Sequence, residues 1–143
     1  MYYNDSLKFR NIYMKTVMTF GTFDLAHPGH ISYLTQAKSY GDKLITIIAR
    51  DQNLKKKVLH TEQQRKKQIE KLNIADLVLL GSENDKLSVI TQYNPDIICI
   101  GYDQQVDIEK LQEITDAQII RLESFKPHVF KSKILKKHFH ENP

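Results

Sequence analysis

Short apolar runs alternate with helix-like segments along most of the chain. The runs are continuous and rich in β-branched residues, which is typical of strands buried on both faces of a parallel sheet. They predict strands at 15–20, 44–49, 77–80, 97–100 and 117–122. Between and after these strands, helical spacing of apolar positions and helix-capping residues predict helices at 28–40, 61–72, 86–93, 107–115 and 132–139.

Residues at the predicted helix ends support this division. Thr61 and Gln64 have the spacing of a capping box at a helix start, Asp107 is expected to cap a later helix, and Gly41 is expected to end the first one. Strict alternation of strand and helix implies right-handed crossovers. The predicted fold class is α/β: a Rossmann-like, doubly wound, five-stranded parallel sheet in the order 3-2-1-4-5, with helices on both faces.

Length and composition indicate one domain of ordinary size. The chain has 143 residues, and Met14 directly precedes the first strand. We therefore expect a single domain over 14–143 and an N-terminal extension over 1–13. No run approaches the ~20 apolar residues of a membrane helix, and the N-terminus does not resemble a signal peptide. The one cysteine, Cys99, lies in an apolar strand and permits no internal disulfide, which favours a cytoplasmic location.

The charge balance excludes little by itself. The 21 basic and 17 acidic residues give a net charge of +4. The surplus is small and mostly spread out, and the chain has no zinc-ligand spacing and no basic or aromatic RNA-binding motif. These features disfavour a nucleic-acid partner. A P-loop enzyme and a dinucleotide dehydrogenase are also disfavoured, because the glycine-rich signature of each class is missing from the sequence. A modest positive charge also suits an enzyme with phosphorylated ligands.

The predicted strand order brings two polar segments together. Strands 1 and 4 are neighbours at the switch point, where doubly wound sheets bind ligands. Strand 1 is followed by Gly21–His30, which reads GTFDLAHPGH, and strand 4 by Gly101–Gln104, which reads GYDQ. The convergence of these segments predicts a ligand site at this edge of the sheet.

The first of these segments has the features of a phosphate site. His27 and His30 are three residues apart and fall on one side of a helical turn. Pro28 is suited to the first helical position. Free backbone N–H groups and the helix dipole would favour an anion there, and Gly21 would let a bulky ligand approach the strand end. No metal-ligand set is evident in the sequence.

The full GTFDxxHxGH run resembles the HxGH nucleotidyltransferases of the cytidylyltransferase-like superfamily. The resemblance implies transfer of a nucleoside monophosphate from a nucleoside triphosphate to a phosphate ester, with release of pyrophosphate. His27 and His30 would stabilise charge on the transferred phosphate, with Lys55 as a further catalytic residue. Mg²⁺ would accompany the nucleotide and keep most of its waters. The resemblance covers about residues 14–139.

The same resemblance implies a nucleotide-binding set. Gly101 and Asp103 match a G-x-D motif, and Ser132, in the segment Phe130–Ile134, partly matches a phosphate-binding signature at the start of the last helix. The complete expected set is Thr22, Phe23, His27, Gly29, His30, Gly101, Asp103 and Ser132. Because Gln104 follows Asp103, the motif reads G-x-D-Q, which resembles archaeal-type FAD synthases more than cytidylyltransferases.

The acceptor phosphate is expected near the end of strand 2. The segment Ala49-Arg50-Asp51 and the lysines that follow resemble the archaeal-type FAD synthases, although the loop at 58–60 is shorter. The expected acceptor-binding residues are Asp24, Arg50, Lys55, Lys56 and Arg65. For the lysines the alternative is a solvated basic loop, and for Arg65 it is an exposed helical arginine.

The sequence is compatible with three functions. The favoured one is an adenylyltransferase that uses ATP and FMN. The alternatives are a CTP-dependent cytidylyltransferase that acts on glycerol-3-phosphate or a similar small phosphate, and a non-catalytic nucleotide sensor, which would not need both histidines. The expected partners are the two small-molecule substrates, without nucleic acid or membrane. A homodimer is implied only by the resemblance.

Overall fold

The computed structural model describes residues 14–24 and 27–125 as a five-stranded sheet with helices on both faces. The strands are β1 (Thr16–Gly21), β2 (Lys43–Ile48), β3 (Leu77–Leu80), β4 (Ile97–Ile100) and β5 (Gln118–Arg121). The helices are α1 (Pro28–Lys38), α2 (Glu62–Leu72), α3 (Ser88–Tyr93) and α4 (Ile108–Ile114). A single 3-10 turn, Asp51–Asn53, follows β2. The extension at 1–13 and the helix predicted at 132–139 lie outside the described residues.

The predicted topology is confirmed. All strand pairs are parallel, and the order is β3-β2-β1-β4-β5. In β1, Thr19 is paired in register with Thr46 of β2 and with Cys99 of β4. The carboxyl ends of β1 and β4 are therefore adjacent, as the predicted order requires.

Two apolar cores explain why the strands have hardly any polar positions. On one face, Val17 and Leu44 pack with Leu34 of α1 and Ile69 of α2. On the other face, Met18 and neighbouring strand residues pack with α3 and α4. Successive residues of a strand point to opposite faces, so a strand covered on both sides is apolar at most of its positions.

The helix boundaries agree with the capping signals in two cases and differ in one. Thr61 and Gln64 form both bonds of the capping box, and the Asp107 carboxylate accepts the Lys110 N–H. Gly41, however, does not end α1: the helix stops at Lys38 and none of the described glycines has a positive φ. Gly41 instead lies where a Cβ would come within 2.8 Å of the Lys15 carbonyl oxygen.

The centre of the sheet also contains a polar pair. The hydroxyls of Thr19 and Thr46 are fully buried and form a hydrogen bond of 2.9 Å. Cys99 is buried in the neighbouring strand, and burial raises the pKa of its thiol to about 12. In the part of the chain that is described, none of the helices combines the length and hydrophobicity needed to cross a membrane.

Candidate active site

A cavity of about 540 Å³ opens at the carboxyl ends of β1 and β4, within the size range of small-molecule sites. Four segments line it: the end of β1 with the following turn, α1 as far as Gln36, the loop after β4, and the segment after β5. Lys56 from the β2–α2 loop completes the lining. The predicted site at the switch point therefore coincides with a cavity.

His27 and His30 lie in this cavity with their rings stacked. The ring centroids are 3.6 Å apart and the planes are inclined by 28°. His27 is the N-cap residue of α1, and its Nδ1 accepts the Gly29 N–H at 3.0 Å. Since Nδ1 accepts this bond, the ring proton of His27 is on Nε2, and the imidazole can still donate one hydrogen bond.

The backbone at the start of α1 differs from the expectation of free N–H groups. Pro28 has no N–H, and the N–H of Gly29 is bonded to the His27 ring. The N–H groups of His30 and Ile31 both donate to the His27 carbonyl oxygen. The first turn can therefore offer an anion the Nε2–H of His27, and the helix dipole also favours negative charge there.

Two glycines of the motif provide room for rings of the chain itself. Phe23 has a φ of 53°, and a Cβ on Gly21 would come within 2.4 Å of its ring. A Cβ on Gly29 would come within 2.8 Å of the His27 ring. A side chain at Gly21 would therefore displace the Phe23 ring, and Gly21 itself also lines the cavity. The Phe23 ring contacts His30 edge-on at a centroid distance of 5.1 Å.

The loop after β4 carries a residue whose structural role the sequence did not reveal. The Oε1 of Gln104 accepts the Gly101 N–H at 2.8 Å and faces the Tyr33 hydroxyl at 3.1 Å. Its Nε2 donates to the Phe20 carbonyl at 3.0 Å. Arg121, at the end of β5, donates from Nη1 to the carbonyls of Gly101 and Gln104, each at 2.9 Å. These bonds hold the loop against the ends of both strands.

The expected nucleotide-binding residues fall into two groups. Thr22, Phe23, Gly101 and Asp103 all line the cavity together with the histidines and Gly29, and Asp103 is exposed. Ser132 and Phe130 lie outside the described residues. Proximity to the cavity is thus established for the first group only.

The segment after β5 adds lining residues that no motif indicated. Gln36 of α1 and Glu123 bond reciprocally: the Gln36 Nε2 donates to the Glu123 carbonyl at 3.2 Å, and the Glu123 N–H donates to the Gln36 Oε1 at 3.0 Å. Phe125 of this segment also lines the cavity. Tyr102, from the Gly101–Gln104 segment, lines it as well and is 55% exposed. Gln36 lies seven residues, or about two helical turns, after Gly29 and therefore on the same face of α1.

Arg65 is neither a ligand-facing nor an exposed residue, in contrast to both expectations. It is fully buried, and its guanidinium donates to the carbonyls of Thr22 (2.8 Å), Ala49 (2.9 Å) and His60 (3.2 Å). It also donates to the Asp51 carboxylate at 2.6 Å. Arg65 therefore connects the backbone just after β1 with the backbone just after β2, and its donors are used within the protein.

Asp24 has a similar structural role. Its carboxylate accepts the N–H groups of Leu59 (2.9 Å) and His60 (3.0 Å), and the bond from Leu59 is the main influence that lowers the pKa of this carboxyl. The bond from Arg65 likewise lowers the pKa of Asp51. Asp24 thus fastens the 58–60 loop to the turn after β1.

The remaining basic residues near the end of β2 differ in whether they pair with protein carboxylates or line the cavity. Arg50 forms ion pairs with Glu62 and Glu83, so protein carboxylates already balance its charge. Lys55 is exposed and does not line the cavity, whereas Lys56 does. Among the cations expected to bind the acceptor, Lys56 is therefore the one that the structure brings to the site. Residues 14–24 and 27–125 contain no group of three or more His, Cys, Asp or Glu arranged for a metal.

Comparison with known proteins gives a consistent result. The cytidylyltransferase-like family model matches residues 18–141. Proteins called FAD synthase from Methanosarcina barkeri and Methanosarcina acetivorans are 47% and 48% identical over 102 and 99 residues. The alignments cover 70% and 68% of this chain, and 73% and 66% of the two relatives.

Solved structures agree at the level of the fold. A lipopolysaccharide core biosynthesis protein from Thermoplasma volcanium is 37% identical with a TM-score of 0.74, over 79% of this chain and 99% of that one. A pantoate-β-alanine ligase from Francisella tularensis, 15% identical with a TM-score of 0.59 over 84% and 65% of the two chains, has a similar fold.

Proposed function

The chain belongs to the cytidylyltransferase-like family, and on that premise we propose that it transfers the adenylyl group of ATP to FMN, with FAD and pyrophosphate as products. The relatives called FAD synthase support this choice of substrates. The observation that carries the chemistry is the stacked pair of imidazoles in a cavity at the switch point of the sheet.

The reaction needs no nucleophilic side chain. An oxygen of the FMN phosphate attacks the α-phosphorus of ATP in line, and the bond from that phosphorus to the β-bridging oxygen breaks. Pyrophosphate leaves with the electron pair of this bond. The attacking phosphate monoester is largely ionised at neutral pH, so no base has to remove a proton. Catalysis then depends on positioning and on stabilisation of developing charge.

The imidazoles supply that stabilisation. His27 has its ring proton on Nε2 because the Gly29 N–H occupies Nδ1, and we assign this Nε2–H to an oxygen of the α-phosphate. His30 is held beside it by ring stacking on His27 and by the edge of Phe23. The start of α1 adds a favourable dipole for the phosphate.

The acceptor is bound through charge and an apolar surface. Lys56 is the cation in the lining, and we assign it to the FMN phosphate. The flavin ring needs an apolar wall, for which Tyr102 and Phe125 are in place. Mg²⁺ would accompany ATP and neutralise part of its phosphate charge, and the described residues offer it no cluster of protein ligands. Ser132 and Asp103 remain proposed nucleotide contacts, whereas Lys55, which does not line the cavity, is assigned none.

The setting of the reaction is part of the same proposal. The lone, buried Cys99 fits a reducing cytoplasm, and the only partners proposed are the two substrates. A homodimer is the assembly that the family resemblance implies, and size-exclusion chromatography with light scattering tests it.

A chromatographic assay tests the proposed substrates. The purified chain is incubated with FMN, ATP and Mg²⁺, and in parallel with CTP and glycerol-3-phosphate. We expect FAD and equimolar pyrophosphate from the first mixture and much slower turnover of the second. CDP-glycerol without FAD would replace the substrates but keep the reaction type. Nucleotide binding without any transfer would favour a nucleotide sensor.

A further inference from the structure

A half-buried tyrosine, Tyr33, joins the histidine helix to the two central strands. The Tyr33 hydroxyl lies 3.1 Å from the Phe20 carbonyl oxygen at the end of β1 and 3.0 Å from the Cys99 carbonyl oxygen in β4. It also lies 3.1 Å from the Oε1 of Gln104. Its single proton is thus shared by three acceptors at the switch point, and burial raises the pKa of Tyr33 above the ordinary range.

Gln104 makes the complementary connection from the loop after β4. Its carboxamide accepts from Gly101 in its own loop and donates to Phe20 in β1. Tyr33 and Gln104 therefore bond to the same carbonyl and to each other, which links α1, β1 and the loop after β4.

The phenol ring connects this junction to the catalytic side chains. Tyr33 is stacked on Phe23 with a centroid distance of 6.1 Å and an angle of 22°. Phe23 contacts the His30 ring at 5.1 Å, and His30 is stacked on His27. A shift of Tyr33 would consequently be transmitted to both imidazoles through packed rings, because packed interiors transmit strain.

We propose that Tyr33 and Gln104 are positioning residues for the transfer: they fix the histidine helix and the loop after β4 in one relative geometry. This inference rests on the proposed function. Neither residue has to touch a reacting atom. Displacement of a catalytic group by about 1 Å lowers turnover by up to about 10²-fold, whereas ground-state binding depends less on such alignment.

The variant Tyr33→Phe removes the hydroxyl and keeps the ring on Phe23. We expect kcat to fall by about 10- to 100-fold while the KM values for ATP and FMN change by less than about 3-fold. The control is Thr19→Val, which removes a fully buried, hydrogen-bonded hydroxyl from β1. That control should lower the melting temperature and leave kcat unchanged. Equal loss of kcat in both variants would reduce Tyr33 to a structural residue.

A readout without turnover separates this inference from the choice of substrates. In ¹⁵N-histidine NMR spectra of the free protein, Tyr33→Phe should shift the ring signals of His27 and His30, and Thr19→Val should not. If the wild-type protein made no FAD, these spectra would still decide the positioning role. Unchanged ring signals in a folded Tyr33→Phe protein would overturn it.

Gln104→Glu provides a chemical rescue. In the ionised form, a carboxylate oxygen faces the Phe20 carbonyl oxygen, and neither atom can donate a hydrogen bond. In the protonated form, the carboxylic O–H can donate to this carbonyl, as the Nε2 of Gln104 does in the wild type. The ratio of its kcat to that of the wild type should therefore rise as pH is lowered from 8 to 5. Gln104→Met, which has no polar group at this place, should show a constant, low ratio. A constant ratio in Gln104→Glu would contradict the role of Gln104.

Discussion

The turn after β1 and the loop after β2 lie side by side at the same edge of the sheet, yet they use their polar residues differently. In the turn after β1, His27 and His30 line the cavity, and neighbouring glycines and Phe23 serve to hold their rings. In the loop after β2, the arginine Arg50 is paired with protein carboxylates, and Lys56 alone of the expected residues reaches the cavity.

The difference shows which residue types can be assigned from a motif. The contacts of His27 and Gly29 lie within the motif itself, at most a few residues away. The partners of Arg65 are up to 43 residues away in sequence. A charged residue near a binding edge can therefore serve the ligand or the protein, and only its long-range partners decide which.

The largest effect is expected in the turn after β1. Replacing His27 or His30 by Ala should lower kcat by about 10²–10³-fold, since each removes a donor that stabilises developing charge. The affinity for ATP, measured by calorimetry, should change much less. The control is His60→Gln. The ring of His60 bonds to the Asp24 carbonyl and does not line the cavity. Wild-type turnover in the double Ala variant would refute the catalytic assignment.

The second effect concerns stability and comes from the loop after β2. Arg65→Met removes a buried guanidinium and leaves three carbonyls and the Asp51 carboxylate without their donor. We expect a loss of about 3 kcal/mol in the free energy of unfolding, measured with urea. Lys66→Met, which removes only a surface pair with Glu70, should cost less than about 0.5 kcal/mol. An unchanged stability with a raised KM for FMN would instead make Arg65 a substrate ligand.

A smaller effect distinguishes the two adjacent lysines. Lys56→Ala should raise the KM for FMN on the order of 10-fold, because it removes a charge-assisted contact to the phosphate. Lys55→Ala serves as the matched control and should change this KM by less than about 2-fold, since Lys55 does not line the cavity. The reverse order in steady-state kinetics would restore Lys55 as the principal phosphate ligand.

The smallest effect is a pH dependence of stability. The pKa values of Asp24 and Asp51 are lowered in the folded protein, whereas an unfolded aspartate titrates near ~3.9. The unfolded state therefore binds protons first, so the stabilisation is complete above about pH 5 and is lost as pH falls through the folded pKa values.

Asp24→Asn and Asp51→Asn each test this sign. In urea titrations between pH 5 and 3, the stability of both variants should fall less steeply than that of the wild type. Each variant lacks one of the two carboxyls whose pKa is lowered by folding. Curves parallel to that of the wild type would show that the depressed pKa values do not contribute to acid stability.

Local pattern alone determined the fold and the location of the site. The five apolar runs became the five strands in the predicted order, because strands covered on both faces are mostly apolar. The motif placed His27 at the N-cap of α1 and His30 in its first turn, since three-residue spacing at a helix start brings side chains to one side. The Thr61 capping box formed for the same local reason.

Tertiary structure decided how the polar groups are shared between ligand and protein. The burial of Arg65, the capping of the 58–60 loop by Asp24 and the junction of Tyr33 with Gln104 all depend on contacts across 35 residues or more. Such contacts exist only once the strands are adjacent. A buried donor or acceptor must find a partner wherever the fold provides one, and that partner leaves no periodic trace in the sequence.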